Sequence, residues 1–329
     1  MVSAALTFLV GGFLLTAVLE WLVLRTTQRL QLVAVANARS SHVEPTPTMG
    51  GLAIVFTVSG FLLLQVMAGV DASLGLLAGG GLLALIGLRD DVSHVSAVLR
   101  LICHVVAVCL TLYALELPWS PLWLAGLAFL LVWQVNLFNF MDGIDGIAGT
   151  QLLLFCVGVI VISGGVPGWL GELLWLLSGS ALAFLAFNWP PAKIFMGDVG
   201  SGFLGLVLGF LVVALAQMGF VPFIASLILL AGFWFDASYT LCVRILTGQR
   251  FTSAHRSHLY QILAARRGHR WTTLMFGSAC VGWLMPLAWL SIQFPDRALL
   301  CLVAAPVPWA VCALRYRAGL PAAQLHEKI

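Results

Sequence analysis

Charge is scarce in this sequence: of 329 residues only 9% are Asp, Glu, Lys or Arg, against 61% hydrophobic, and the mean hydropathy is +1.04. Soluble domains carry roughly 25% charged residues, so a water-soluble globule is excluded. No Ser/Pro-rich linker, low-complexity tract, composition shift or internal repeat divides the chain, which leaves a single integral domain over 1–329. Basic stripes interleaved with aromatics are also missing, and the net charge of +3 reflects membrane orientation more than a nucleic-acid surface. Nucleic acid is not an expected partner. The seven cysteines form no CxxC pair and lie mostly in apolar segments, so they read as buried structural thiols.

What the chain has instead is long apolar runs. About eleven are of the length a helix needs to cross roughly 30 Å of hydrocarbon: 4–24, 49–69, 72–88, 98–115, 121–138, 150–164, 170–187, 202–216, 221–240, 272–293 and 298–314. With the N-terminus placed outside and the spans alternating, fifteen of the 16 Lys and Arg residues fall on the inner side and only Arg297 falls outside. The expectation is an all-α polytopic membrane protein with a periplasmic N-terminus and a cytoplasmic C-terminus. The first stretch has no preceding Lys or Arg and is followed by Arg25 and Arg29, so it reads as an anchor, not a cleaved signal peptide.

Carboxylates cluster at inner helix ends: Asp90 and Asp91 in "GLRDDVSH", Asp142 and Asp145 in "NLFNFMDGIDGIAG", and Asp198 in "IFMGDVGSGF". An aspartate at the centre of a membrane helix costs roughly 2.5–3.5 kcal/mol, less near the interface, so several on one face need compensation. Asn136, Asn139, Asp142 and Asp145 recur every third residue, and Gly143 and Gly146 are expected to end the helix, leaving the carboxylates on a tight turn with the asparagines one turn deeper. Ser201 is placed to cap the helix after "MGD", while Gly205 and Gly209 read as packing glycines. Asp236 has two readings, an ion pair with Arg244 or another loop cation, or a site role.

The longest inner loop, "RFTSAHRSHLYQILAARRGHR", adds cations. His255 and His258 make a poor zinc site without a third ligand but suit hydrogen bonding to phosphate. Carboxylates repel phosphates unless a divalent ion intervenes, and Mg²⁺ takes one or two carboxylates plus phosphate oxygens. The pattern points to phosphoryl chemistry at the bilayer surface.

The motifs "SSHVEPTPTMGG" (40–51), "GLRDD" (87–91), "NLFNFMDGIDGIAG" (136–149), "FMGDVGSGFLG" (195–205) and "HRSHL" (255–259) occur in the order found in polyprenyl-phosphate N-acetylhexosaminyl-1-phosphate transferases, glycosyltransferase family 4. The chain resembles that family over nearly its whole length, and "NARSSHVEPTPTMGG" looks like the O-antigen-initiating branch of the WbpL type. The resemblance implies attack by undecaprenyl phosphate on a UDP-activated amino sugar (GlcNAc, FucNAc or QuiNAc), releasing UMP with Mg²⁺, or Mn²⁺ in its place. It further implies Asp198 and Asp91 at the metal, Asp90, Asp91, Asp145, His255 and His258 in catalysis, and Asn136, Asn139, Asp142, Lys193 and Arg256 at the nucleotide. Asp90 or Asp91 is expected to position the lipid phosphate more than to remove a proton, because a phosphate monoester is largely dianionic near neutral pH.

In this reading the enzyme works at the cytoplasmic face of a bacterial inner membrane, in a lipid bilayer, with a homodimer left open. Glu44 stands where the peptidoglycan translocase has basic residues, and eleven spans fit the O-antigen branch better than the ten of that enzyme. A transporter would place its carboxylates nearer the mid-membrane, in paired halves. A CDP-alcohol phosphotransferase would carry Ala-Arg after its first Asp-Gly, where this chain has Ile-Asp after Gly143 and Ile-Ala-Gly after Gly146.

Overall fold

A computed structural model describes residues 2–34, 45–250 and 255–321. Arg39, Glu44, Glu327, Lys328 and the start of the "SSHVEPTPTMGG" motif lie outside the described residues. The described chain is helical apart from one short ribbon. Helices α1 (Val2–Arg29), α2 (Gly51–Met67), α3 (Asp71–Val92), α4 (Ala97–Ala114) and α5 (Pro121–Met141) are followed by α6 (Ile147–Ser163), α7 (Gly168–Asn188) and α8 (Asp198–Gln217). After these come α9 (Phe223–Leu229), α10 (Ala231–Leu246), α11 (Leu259–Arg267) and α12 (His269–Ala279), which runs through a π-helical turn into α13 (Met285–Gln293). The last two are α14 (Ala298–Ala304) and α15 (Val307–Tyr316).

Helices are what such apolar runs must form in hydrocarbon, where every backbone group has to be satisfied within its own segment. Each of the eleven apolar stretches overlaps a helix or a broken pair of helices. Among the described residues, however, eight helices are long and apolar enough to cross a membrane, or nine if α9 and α10 count as one bent span. The expected eleven include α2 and α6, which fall just short at 17 residues each.

The bundle is organised around α8, buried along almost its entire length. Small residues let neighbours approach it, as expected for Gly205 and Gly209: a Cβ on Gly205 would stand 2.8 Å from Val135 Cα of α5, and one on Gly209 would stand 2.8 Å from Leu131. Gly87 of α3 packs against the Asp198 backbone at the head of α8 in the same way. The central helix therefore begins, at Asp198, where α3 and α5 end.

Two further features fix that end. The strands Val33–Ala34 (β1) and Thr46–Pro47 (β2) pair antiparallel and present the following turn to the loop before α8. Gly50 N–H donates to Phe195 O and Gly51 N–H to Met196 O, both at 2.8 Å, while Phe195 N–H returns a bond to Pro47 O at 2.8 Å. Helix α10 is tied to α5 by Trp133 Nε1, donating to Ser238 Oγ (3.1 Å), and Trp234 Nε1, donating to Gln134 Oε1 (2.7 Å).

Between α9 and α10 the axis turns by 72°. A break of this kind frees carbonyls, and Gln151 of α6 answers one of them, Nε2 donating to Leu229 O at 3.1 Å. Replacing Gln151 with Leu leaves that carbonyl unsatisfied at a site where Gln151 is 8% exposed. A loss of about 1–2 kcal/mol is expected, seen as a lowered thermal midpoint in detergent with the spectroscopic helix content unchanged.

Candidate active site

The turn from α5 to α6 forms as its glycines suggest. Helix α5 stops at Met141, Asp142 occupies the cap position, and Gly146 takes φ +77°, a conformation that favours glycine, before α6 starts at Ile147. Asn188 Oδ1 accepts the Gly146 N–H at 2.8 Å, and its Nδ2 donates to Ile194 O at 2.8 Å, locking this turn to the loop before α8. Asn188 is a site-building residue that sequence reasoning missed; its one signal was a carboxamide at the end of an otherwise apolar helix.

A cavity of about 840 Å³ opens between these elements. Asp91, Asp142, Asp145 and Asp198 line it, together with Asn136, Asn139, His255 and His258. The structure thus brings together eight of the eleven residues expected at the site. Asp90, Lys193 and Arg256 are not part of the wall; Lys193 and Arg256 are exposed. Asp90 turns aside, its Oδ1 accepting the Val95 N–H (2.7 Å) and its Oδ2 bound by Arg100 Nη1 (2.6 Å).

Asp198 is held from two sides. Asn139 Nδ2 donates to its Oδ1 at 2.9 Å and to Ser201 Oγ at 2.8 Å, and Arg100 Nη1 stands 3.2 Å from its Oδ2. Ser201 is therefore not the expected cap of α8. The cap comes from another helix: Asp91 Oδ1 accepts the Asp198 N–H (2.9 Å) and Oδ2 the Val199 N–H (3.1 Å). A carboxylate there answers two orphan donors and the positive end of the helix dipole together. Gly197, φ +79°, leaves it room, since a Cβ would lie 2.6 Å from Asp91 Oδ2.

Asp145 accepts the Ala192 N–H at 3.1 Å and pairs with His269 Nδ1 at 3.1 Å, so it ties the turn to its surroundings. Asp142 differs. Its carboxylate makes no hydrogen bond among the described residues, and burial followed by the charges of Asp198, Asp91 and Asp145 pushes its pKa well above the usual carboxylate range. Tyr260 of α11 lies beside it; burial, then the charges of Asp236 and Asp142, raises the phenol, whose hydroxyl donates to Phe140 O at 2.8 Å.

Asp236, 1% exposed, makes no ion pair with Arg244. It caps α11 as Asp91 caps α8, Oδ1 accepting the Leu259 N–H (2.8 Å) and Oδ2 the Tyr260 N–H (2.9 Å). Arg244 instead donates to Gln249 Oε1 (2.8 Å) and Arg250 O (3.0 Å).

Below the polar end the cavity becomes apolar, walled by Leu83, Ile86, Val132 and Trp133. Leu101 and Phe129, 49% and 71% exposed, stand on this wall, so an apolar chain in the bilayer can reach the carboxylates from the side. One cavity thus joins an acidic pole, one guanidinium and three imidazoles, those of His104, His255 and His258, to a greasy wall.

That combination gives the comparisons with known proteins their meaning. Residues 73–216 match the model of Glycosyl transferase family 4. The family 4 match covers α3 to α8, and with them Asp90, Asp91, Asn136, Asn139, Asp142, Asp145, Lys193 and Asp198; the histidine loop lies beyond it. The chain is 33% identical to a decaprenyl-phosphate N-acetylglucosaminephosphotransferase of Mycolicibacterium smegmatis over 216 residues, 55% of this chain and 52% of that protein. It is 27% identical to a probable undecaprenyl-phosphate N-acetylglucosaminyl 1-phosphate transferase of Bacillus subtilis over 300 residues, covering 84% and 81% of the two. A phospho-N-acetylmuramoyl-pentapeptide-transferase of Thermotoga petrophila shares 31% over 195 residues, 51% of this chain and 60% of the relative. The chain spans about half the length of the mycobacterial relative that it matches.

Proposed function

We propose that this protein transfers an N-acetylhexosamine 1-phosphate from a UDP-sugar to undecaprenyl phosphate, releasing UMP, and that it starts an O-antigen glycan at the cytoplasmic face of a bacterial inner membrane. The observation that carries the reading is the single cavity in which an acidic pole with Arg100 and three histidines continues into an apolar wall. A soluble diphosphate donor and an apolar phosphate acceptor need such a two-natured site. The names of the relatives, which specify polyprenyl-phosphate acceptors and N-acetylglucosamine, support it.

The donor set fits Mg²⁺. Its ligands are hard carboxylate oxygens, and among the described residues no three His, Cys, Asp or Glu side chains gather closely enough to cage a metal. Zinc and calcium sites draw more of their ligands from the protein, whereas Mg²⁺ uses one or two carboxylates and leaves places for phosphate oxygens. Asp198 and Asp142 would hold it, Asp142 in place of the expected Asp91, whose two oxygens cap α8. Bound there, the ion would neutralise charge on the diphosphate and relieve the repulsion felt by Asp142.

The chain's own residues then do the positioning. Asn139 and Arg100 fix the Asp198 carboxylate, and Arg100 presents a guanidinium to phosphate at the cavity wall. His255 and His258 offer hydrogen bonds to the diphosphate, and the apolar wall receives the isoprenoid chain. The lipid phosphate oxygen attacks the β-phosphorus in line as UMP leaves, and positioning with charge neutralisation supplies most of the acceleration. Asp90, occupied by Arg100 and the Val95 N–H, orients that arginine and takes no proton.

The test is UMP release and lipid-linked product from purified protein, undecaprenyl phosphate and a panel of UDP-GlcNAc, UDP-FucNAc and UDP-QuiNAc. Product from one donor, abolished by EDTA and restored by Mg²⁺, is expected. Turnover undiminished by chelation would overturn the metal assignment; no UMP from any donor would overturn the reaction.

A further inference from the structure

The histidine loop holds an arrangement that the reaction alone does not require. Asp236 and His258 are both almost fully enclosed, their side chains 0% and 5% exposed, and His258 Nδ1, which has no hydrogen-bond partner among the described residues, lies 3.6 Å from Asp236 Oδ1, just beyond a hydrogen bond and within reach of one. On the other side of the ring, His258 Nε2 is 3.2 Å from His255 Nε2. The rings of His255, His258 and Tyr260 form a stack, with centroids 5.1 and 5.8 Å apart and planes inclined by 29° and 30°. His255 and His258 line the cavity, whereas Asp236 stands behind them on α10 and does not.

The carboxylate is itself pinned. Its two oxygens take the first two N–H groups of α11 at 2.8 and 2.9 Å, and these two backbone bonds hold it without the longer, neutral contact from Thr240 Oγ1 to Oδ1 at 3.2 Å. It cannot swing away from the ring beside it. The other group within reach of His258 Nδ1 is the backbone N–H of Gln261, one turn into α11. A carboxylate and an amide N–H ask opposite things of the same nitrogen: the first wants Nδ1 protonated, the second wants its lone pair. Hydrogen bonds to an ionised group are roughly twice as strong as neutral ones, and both side chains here are shielded from water.

We propose that Asp236 is a positioning residue for the histidine pair: it holds His258 as the Nδ1–H tautomer and so aims the Nε2 lone pair at His255 and the cavity. An imidazole whose far N–H is held by a buried carboxylate can carry a second proton on Nε2 and present it to an oxyanion, the use to which a carboxylate–histidine couple is put in acyl transfer. In this site the oxyanion is a phosphate oxygen of the donor or of its leaving UMP, and that part of the inference rests on the proposed transferase reaction. The tautomer assignment rests on geometry alone.

The first measurement is ¹⁵N NMR of histidine-labelled protein in lipid nanodiscs, with the His258 resonances assigned by loss in His258→Asn. His258 is expected to show a protonated Nδ1 and an unprotonated Nε2 in the ligand-free wild type, and to lose that preference in Asp236→Asn. A wild-type His258 protonated at Nε2, with Nδ1 accepting from Gln261, would overturn the proposal and leave Asp236 a helix cap only. The same result in wild type and Asp236→Asn would also overturn it.

Thr240→Ala, which removes a neutral contact to Asp236 and keeps the charge, separates loss of the tautomer from loss of fold; it should leave the His258 signals unchanged. Once a donor is found, Asp236→Asn should lower kcat at least about 10-fold with KM for the donor changed less, while Thr240→Ala stays near wild type. The expected tautomer in a protein that turns over no donor would count against the transferase reading and not against this one.

Discussion

Asp198→Asn is expected to all but abolish the proposed transfer, with kcat falling on the order of 10³-fold, the scale of removing one electrostatic group aimed at the reacting centre. The fold should survive. Asparagine has the same shape, keeps an oxygen for Asn139 Nδ2, and leaves the backbone N–H groups of residues 198 and 199 bonded to Asp91. What it removes is the negative charge that a cation would need and that Arg100 faces at 3.2 Å. UMP release measured beside a thermal melt separates the two effects, the midpoint staying within about 2 °C, in keeping with a shape-preserving change. Asp90→Asn is the informative contrast. It keeps an acceptor for the Val95 N–H and only loosens Arg100, so a loss of roughly 10- to 100-fold is expected. Equal losses in the two variants would contradict the separate roles given to these aspartates.

The second large effect is remote from charge. Gly51→Ala places a methyl group on the Cα of Gly200, backbone against backbone, where no side chain can rotate away. The two segments must part, and with them the bonds from Gly50 N–H to Phe195 O and from Gly51 N–H to Met196 O. Overpacking costs roughly 1–3 kcal/mol and each backbone bond about 1 kcal/mol net, so a fall of roughly 5 °C or more in the melting midpoint is expected. Activity should fall further than stability implies. Residues 195 and 196 lead directly into Asp198, and a misplacement of about 1 Å costs on the order of 10²-fold. Gly60→Ala on the same helix is the control: nothing lies within 4 Å of its added carbon, so both midpoint and turnover should stay near wild type.

How much of this was legible in the sequence follows from the range of each signal. Apolar length is a local property, and the eleven stretches all overlap helices; whether 17 residues in α2 or α6 count as a span is a matter of length, which periodicity does not decide. The Asn-Asp-Gly turn after α5 was readable because Gly143 and Gly146 sit within a few residues of the carboxylates they position. The partnerships were not readable. That Asp91 rather than Ser201 caps α8 is a relation across 107 residues, and that Asp236 caps α11 while Arg244 looks elsewhere is one across 23. Arg100 entered the sequence analysis only as an inner-side cation, since nothing in "AVLRLICH" says that its guanidinium bridges Asp90 and Asp198. Glu20 was passed over because it lies within the first apolar stretch. It is fully enclosed, its Oε1 against Gly50, with neither oxygen hydrogen-bonded among the described residues.

The two borrowed caps share an order in time. A membrane protein emerges from its N-terminal end, and in each case the acceptor is made before the helix it serves: Asp91 before Asp198 and Val199, Asp236 before Leu259 and Tyr260. A helix whose head carries bare N–H groups finds a carboxylate already waiting, and its first two donors are taken up as it arrives. Docking of α8 against α3 is then more than packing, because it closes two hydrogen bonds that the head of α8 cannot make within its own helix. A chain cut short before residue 198 carries Asp91 without the two donors that it caps in the finished bundle.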